Sequence, residues 1–274
     1  MPLISIACGT GRLPQASVLQ ALADIWRERG IVSVWGPAYA PEADACILHI
    51  DRTRLEPTDV PPPPRGLRAI NGSILDISKR LFSVLEVYPG SDWSGQVIVK
   101  TNLNHFGLPE LRGNHPAQRA LDRLRMRIAD ISWHIARTLP DRTYPVLPSI
   151  RHVPRWVWDN PRYIVEKFMP EKDGDLYCLR GWMFLGPVSY GWRLFSTDPL
   201  VKTGTMVRYE FITEVPGELV ELRNRTKFDF GKFDYVMHDG KPIVLDLNKT
   251  PAYSGDPASP RLHKLAEGIE GFLP

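Results

Sequence analysis

Phe233-Asp234-Tyr235-Val236-Met237-His238-Asp239-Gly240-Lys241-Pro242-Ile243-Val244-Leu245-Asp246-Leu247-Asn248 reads as a β-hairpin that turns at His238–Lys241. Apolar residues dominate both arms, and the polar, glycine-containing centre supplies the turn. Asp234 lies on the first arm, Asp246 and Asn248 on the second. Side chains alternate across a strand, so 246 and 248 share a face, and a hairpin folded on itself can bring Asp234 to that face. An Asp-x-Asn near a turn is more often a hydrogen-bonded loop. These acids, however, are embedded in the apolar runs KFDYV and PIVLD, where a charge needs a partner. Two carboxylates and an amide oxygen are hard donors that suit Mg²⁺, which shares the rest of its shell with water and phosphate.

Upstream of the hairpin, the chain from Tyr163 onward is β in character. YIVEKF, LYCLRGWMFLG, VSYGWRLF, MVRYEFI and PIVLDLN read as strands of a mostly antiparallel sheet, and a last helix spans Leu262–Phe272. Before it, Ile77, Leu81, Val84 and Leu85 give an apolar face to a helix expected from Ser73, and Gln96–Thr101 is a strand by its β-branched run. Residues 118–139 predict a helix with Leu121, Leu124, Ile128 and Ile131 on one side, and 144–161 reads as irregular. At the start, Leu3–Ala7, Ile31–Trp35 and Ala45–Ile50 are short strands, with a helix over Val18, Leu22, Ile25 and Trp26 that Gly30 ends. Pro61–Pro64 form a stiff connector. The expected units are therefore 1–62, 63–162 and 163–274.

Asp234, Asp246 twelve residues later, Asn248 and the following Pro251 together resemble the metal-binding hairpin of the ATP-grasp superfamily. That superfamily includes D-alanine–D-alanine ligase and the ligases that add glutamate to ribosomal protein. Its middle position is usually Glu, so Asp246 is a departure by one methylene. Three further segments match in the family's order. Lys79 in LDISKRLFSVL takes the place of a phosphate-contacting lysine on a helix, and Lys100 in VIVKTNLNHFG that of a second lysine ending a strand. Glu166-Lys167 in IVEKFMPEKDGD resembles the hinge, where backbone groups of Lys167, Phe168 and Met169 would read adenine. Asp175, or failing that Asp173, would accept from the ribose. Singly, each is an ordinary surface residue; the ordered set, spanning 73 to 251, carries the resemblance.

The resemblance implies an α/β (α+β) fold of two lobes gripping ATP, preceded by a small α/β unit. It implies ATP and Mg²⁺ as cofactors, with the metal on Asp234, Asp246 and Asn248. Arg180 and Arg193 are the candidates for stabilising the transferred phosphate, and Lys202 is a weaker candidate on the substrate side. The implied chemistry joins a small-molecule carboxylate to an amine through an acyl phosphate. A kinase on the same fold, or a non-catalytic nucleotide-binding module, stays open. One departure concerns the phosphate-covering loop, commonly glycine-rich, since Thr101–Gly107 holds only Gly107 and would have to close with Asn and His side chains.

Bulk properties exclude other classes. The 274 residues carry 34 Lys and Arg against 31 Asp and Glu, too mild an excess for a nucleic-acid binder. Three scattered cysteines, Cys8, Cys46 and Cys178, make no disulfide framework and point to a reducing compartment. With no apolar run near membrane length and no secretory pattern at the N-terminus, the expected location is cytoplasmic. A homodimer is left open. His49 and His105 belong to no metal or triad motif, and Trp156, Trp158 and Trp182 read as core before pocket.

Overall fold

A computed structural model describes residues 1–9, 13–14, 16–112, 115–140 and 143–274. The first sheet is parallel, with β1 (Leu3–Ala7) between β2 (Val32–Gly36) and β3 (Ala45–Leu48), and β4 (Ala69–Ile70) beyond β3. The helix α1 (Val18–Glu28) covers one face, and Ser17 Oγ caps it by accepting from the Gln20 N–H at 3.1 Å. Because β4 follows Pro61–Pro64, the prolines lie within this unit and not at its edge.

Between the prolines and the second sheet, residues 73–85 form no regular helix. Backbone bonds to other segments claim them instead: Leu55 N–H donates to Leu75 O, Ile77 N–H to Thr53 O and Lys79 N–H to Asn102 O. Only a single tight turn forms, at Lys79–Leu81. Ile77 and Leu85 are buried while Leu81 and Val84 are exposed, so the helical spacing was coincidental.

The second sheet holds β5 (Val97–Thr101) between β6 (Val146–Leu147) and β7 (Tyr163–Lys167), all antiparallel. The run YIVEKF therefore belongs here and not to the later sheet. Short α2 (Leu108–Arg112) leads into α3 (Pro116–Ala136), whose backbone leaves helical geometry at Ser132. Half-buried or buried on α3 are Asp122, Met126, Ala129, Ser132, Trp133 and Ala136; Leu121, Leu124, Ile128 and Ile131 face outward. That reverses the expected orientation. The lobe's core is closed without them, by Val87, Val97, Val99, Val157 and Val165 with the surrounding tryptophans, and by the short α4 (Arg155–Trp158).

The third sheet is antiparallel, in the order β11 (Met206–Ile212), β10 (Val188–Ser196), β9 (Leu176–Leu185), β12 (Phe230–His238), β13 (Lys241–Asn248), with β8 (Glu171–Asp173) also on β9. Its two faces bury different cores. Trp182, Phe184, Phe233 and Leu247 pack on one side with α5 (Gly217–Thr226). Met183, Leu185 and Phe230 pack on the other with α1 and with α6 (Pro260–Ala266), and Trp26 Nε1 donates to Ala266 O at 2.9 Å. A run of 3₁₀ turns continues α6 to Phe272. No helix among the described residues is long and apolar enough to cross a membrane.

Candidate active site

A cleft of about 680 Å³ lies among the three sheets, and the hairpin of β12 and β13 forms part of its wall. Asp239 and Gly240 turn the hairpin with positive φ angles of 50° and 76°, the backbone that suits the strand twist. Asp234 pairs directly with Asp246, and Lys232 pairs with Asn248. Residues opposite one another across a ladder share a face, so these four line the cleft together. A register shift just after Asp234 leaves Leu245 as the extra residue of a bulge, which bends the strand beside the acids.

Each carboxylate has an ammonium partner. Lys232 Nζ lies 2.8 Å from Asp234 Oδ2, and Lys79 Nζ 3.0 Å from Asp246 Oδ1. Burial raises the Asp234 carboxyl above its ordinary range; Lys232 pulls it down, but the neighbouring Asp246 charge pushes it up again. For Lys79, burial is the largest single influence and works against the charge, yet Asp246, Tyr144 and Glu166 together overcome it and the ammonium is strengthened. Lys232 behaves the same way, with Asp234 and Asp246 together overcoming its burial. Such a pair of crowded acids favours bound positive charge.

Lys79 also donates to Leu103 O and to Asn104 Oδ1, which ties the loop after β5 to the hairpin. Asn104 N–H donates to Thr53 Oγ1, and its side-chain amide donates to Leu247 O. His105, Phe106 and Gly107 follow with φ of 49°, 58° and 73°. Consecutive left-handed non-glycine residues are costly, so this loop is held by the contacts that surround it. Phe106 stacks on Tyr144 at 4.4 Å.

On the opposite wall, Lys100 reaches the cleft and forms an ion pair of 2.6 Å with Glu166. Glu166 is 1% exposed. Burial is the largest single influence and would raise its carboxyl, but Lys100, Ser83 and Lys79 together hold it below the ordinary range. Glu166 thus positions Lys100 and does not itself line the cleft. Lys167, Phe168 and Met169 do line it. The Lys167 and Phe168 N–H groups are spent on Leu85 O and Gln96 O, and Met169 O accepts from His238 Nε2. Among the described residues, the Met169 N–H has no backbone acceptor.

The whole chain superimposes on proteins of one architecture. An ATP-grasp ligase named PsnB, solved with a minimal precursor, matches over 99% of each chain with a TM-score of 0.52 and 9% identity. A RimK-domain ATP-grasp protein from Sphaerobacter thermophilus matches over 99% of each chain with a TM-score of 0.51 and 12% identity. The chain has the ATP-grasp fold. No protein-family model matches the sequence, and no curated protein matches it.

Within this ATP-grasp fold, several residues expected at the site lie elsewhere. Arg180 pairs in register with Tyr235 and with Arg193, so both arginines occupy the face opposite Asp234. One step of strand alternation separates them from the cleft. Glu171 receives Arg180 through Nε and Nη2 at 3.0 and 2.6 Å, and also accepts the Met237 N–H. Arg193 is held by Glu210 and Asp173. Asp175 is exposed beside the Gly174 turn and does not line the cleft. Lys202 does line it.

Other cleft residues carried no motif. Lys232 was within reach of reading, since alternation places it on the face of Asp234. His49, Asp51, Arg52 and Thr53 enter from the end of β3, the carboxyl end of a parallel sheet, where ligands of open α/β sheets gather. Their place on the cleft follows from the arrangement of three sheets, which local sequence does not reveal. Among the described residues, no three His, Cys, Asp or Glu side chains cluster as a metal site; a divalent ion here would rest on two aspartates and an amide.

Proposed function

We propose that this protein is an ATP-dependent ligase that activates a carboxylate as an acyl phosphate for attack by an amine. The observation that carries the reading is the cross-strand pair Asp234 and Asp246, flanked by Asn248, on the cleft face of a buried hairpin. The donor set fits Mg²⁺: two crowded carboxylates, one above its ordinary range, and an amide oxygen. When bound, Mg²⁺ supplies charge neutralisation between the nucleotide phosphates.

The chain's own groups do the rest. Lys79, Lys100 and Lys232 approach from three elements, so the cleft gathers positive charge where phosphate oxygens would develop negative charge. The Met169 N–H would offer one hydrogen bond to the adenine edge, and Leu85, Ile98, Val236 and Leu245, which line the same cleft, would supply apolar contact for the ring. The loop of Asn104 and His105 shields the phosphates in place of a glycine-rich one. Arg180 and Arg193 are assigned no chemical role, because their guanidinium groups are engaged on the other face. The carboxylate and amine enter from the side of His49, Arg52, Thr53 and Lys202.

The test is release of ADP and phosphate by the purified protein with pooled carboxylic acids and amines, beside calorimetry with magnesium AMPPNP. Asp246→Asn should lower turnover by about a hundredfold or more and weaken the magnesium-dependent part of nucleotide binding. Equal turnover by Asp246→Asn would remove the metal assignment, and a phosphorylated acceptor in place of an amide would make the enzyme a kinase.

A further inference from the structure

The outward face of α3 carries a row of exposed apolar residues that the site does not use. Leu121, Leu124 and Ile128 are 52%, 54% and 39% exposed, and Ile131 is 90% exposed. Their spacing is three, four, three, the alternation of a coiled-coil seam. At about 100° per residue the four fall within roughly 80° of arc and span about 15 Å. Regular helix runs unbroken through them, since the first non-helical residue is Ser132. The lobe needs none of them: α3 is seated by Asp122, Met126, Ala129 and Trp133.

Three occupants compete for such a seam, and the residues beside it decide. Arg125 borders it on one side and Arg127 on the other, both exposed. A second copy of this chain would set these arginines against each other, and like charges across a helical seam destabilise pairing. A membrane surface calls for a broad apolar face with aromatic anchors, whereas this seam is narrow and wholly aliphatic. A partner helix with Leu or Ile knobs and flanking Asp or Glu satisfies both the spacing and the charge.

We infer that the Leu121–Ile131 seam of α3 docks an acidic amphipathic helix belonging to another polypeptide. The site is separate from the cleft, and the inference does not depend on the chemistry performed there.

Two labelled three-heptad peptides test it by fluorescence anisotropy on the full-length protein. Both carry Leu at the seam positions; one carries Glu at the flanks and its twin carries Lys. The Glu peptide should bind about tenfold or more tightly than the twin, with the preference shrinking as salt rises. Leu124→Glu with Ile131→Glu should abolish binding while leaving the thermal midpoint in place. Arg125→Glu with Arg127→Glu should reverse the order of the two peptides, an outcome no change in stability can imitate. Equal or absent binding of the two peptides overturns the inference. So does a dimer in sedimentation velocity that Leu124→Glu dissolves, which gives the seam to a second copy. Flotation with phosphatidylserine vesicles that Ile131→Glu abolishes gives it to a membrane, and overturns the inference equally.

Discussion

Lys100 and Glu166 stand 2.6 Å apart with side chains 9% and 2% exposed. A pair so enclosed is a poor source of stability, yet breaking it from one side is expensive, because the survivor keeps its charge without a partner. Lys100→Met should therefore cost about 3–5 kcal/mol, and adding Glu166→Gln should return most of it. Nucleotide affinity should stay low in both, since only the lysine faces the cleft. Urea midpoints for the four proteins of this cycle, with AMPPNP isotherms beside them, separate the roles; a double variant no more stable than Lys100→Met refutes the pairing argument. His49 gives a second test at this scale. It is 3% exposed, its Nδ1 has no hydrogen-bond partner among the described residues, and burial, helped by Lys249, pushes its imidazole down to about 4. Between the ordinary value of 6.5 and about 4, the unfolded chain holds a proton on this ring that the folded chain refuses. Stability should thus fall as pH drops through that window, by on the order of 3 kcal/mol in all. His49→Gln should flatten that limb of the profile, and an unchanged slope between pH 6.5 and 4 would count against a buried neutral ring.

Among the elements, the loop 101–107 carries the most specific expectation. Asn104 is its clasp, receiving Lys79 and donating to Thr53 and to the carbonyl of Leu247. Asn104→Ala keeps the backbone bond to Thr53 and loses both side-chain links, so the left-handed stretch behind it has less to hold it. Magnesium AMPPNP should bind about tenfold more weakly, with faster amide exchange confined to 102–107; unaltered exchange there would show that the loop is held by something else. Elements differ in how far their sequence betrays them. The hairpin was legible because everything that shapes it is local: alternation, a turn at Asp239-Gly240, and acids twelve residues apart. Residues 73–85 were not, because their hydrogen bonds go to Thr53, Leu55 and Asn102, and apolar spacing cannot report a distant acceptor. Periodicity found α3 but not which side of it meets the lobe, since both faces carry apolar residues and only the tryptophan-rich core beneath decides. Arg180 and Arg193 were misplaced for a simpler reason. Strand alternation counted from Asp234 needs the register between β9 and β12, and no residue of either strand declares it.

At the scale of the molecule, two of the three sheets form one body. The chain after the hairpin returns to the start of the protein, where Val18 N–H donates to Pro251 O and Tyr253 N–H to Ala16 O. Phe230, Met183 and Leu185 share a core with Ile4, Leu22 and Trp26. The second sheet has a separate core. It meets the rest through the Phe168–Pro170 crossing and through polar contacts about Lys79 and Asn104, and polar contacts yield more easily than buried apolar ones. Closure on a nucleotide should therefore move the second sheet as a unit. Magnesium AMPPNP at a hundred times its dissociation constant adds about 2.7 kcal/mol to global stability, but the change in amide exchange should be uneven. Protection should rise at 79–86, 100–107 and 167–170 and stay flat in β1 and β3, with the radius of gyration falling in solution scattering. Asp246→Asn should blunt each of these without altering the ligand-free pattern. Protection spread evenly over all three sheets would instead describe a rigid cleft, one that fills with nucleotide and does not grip it.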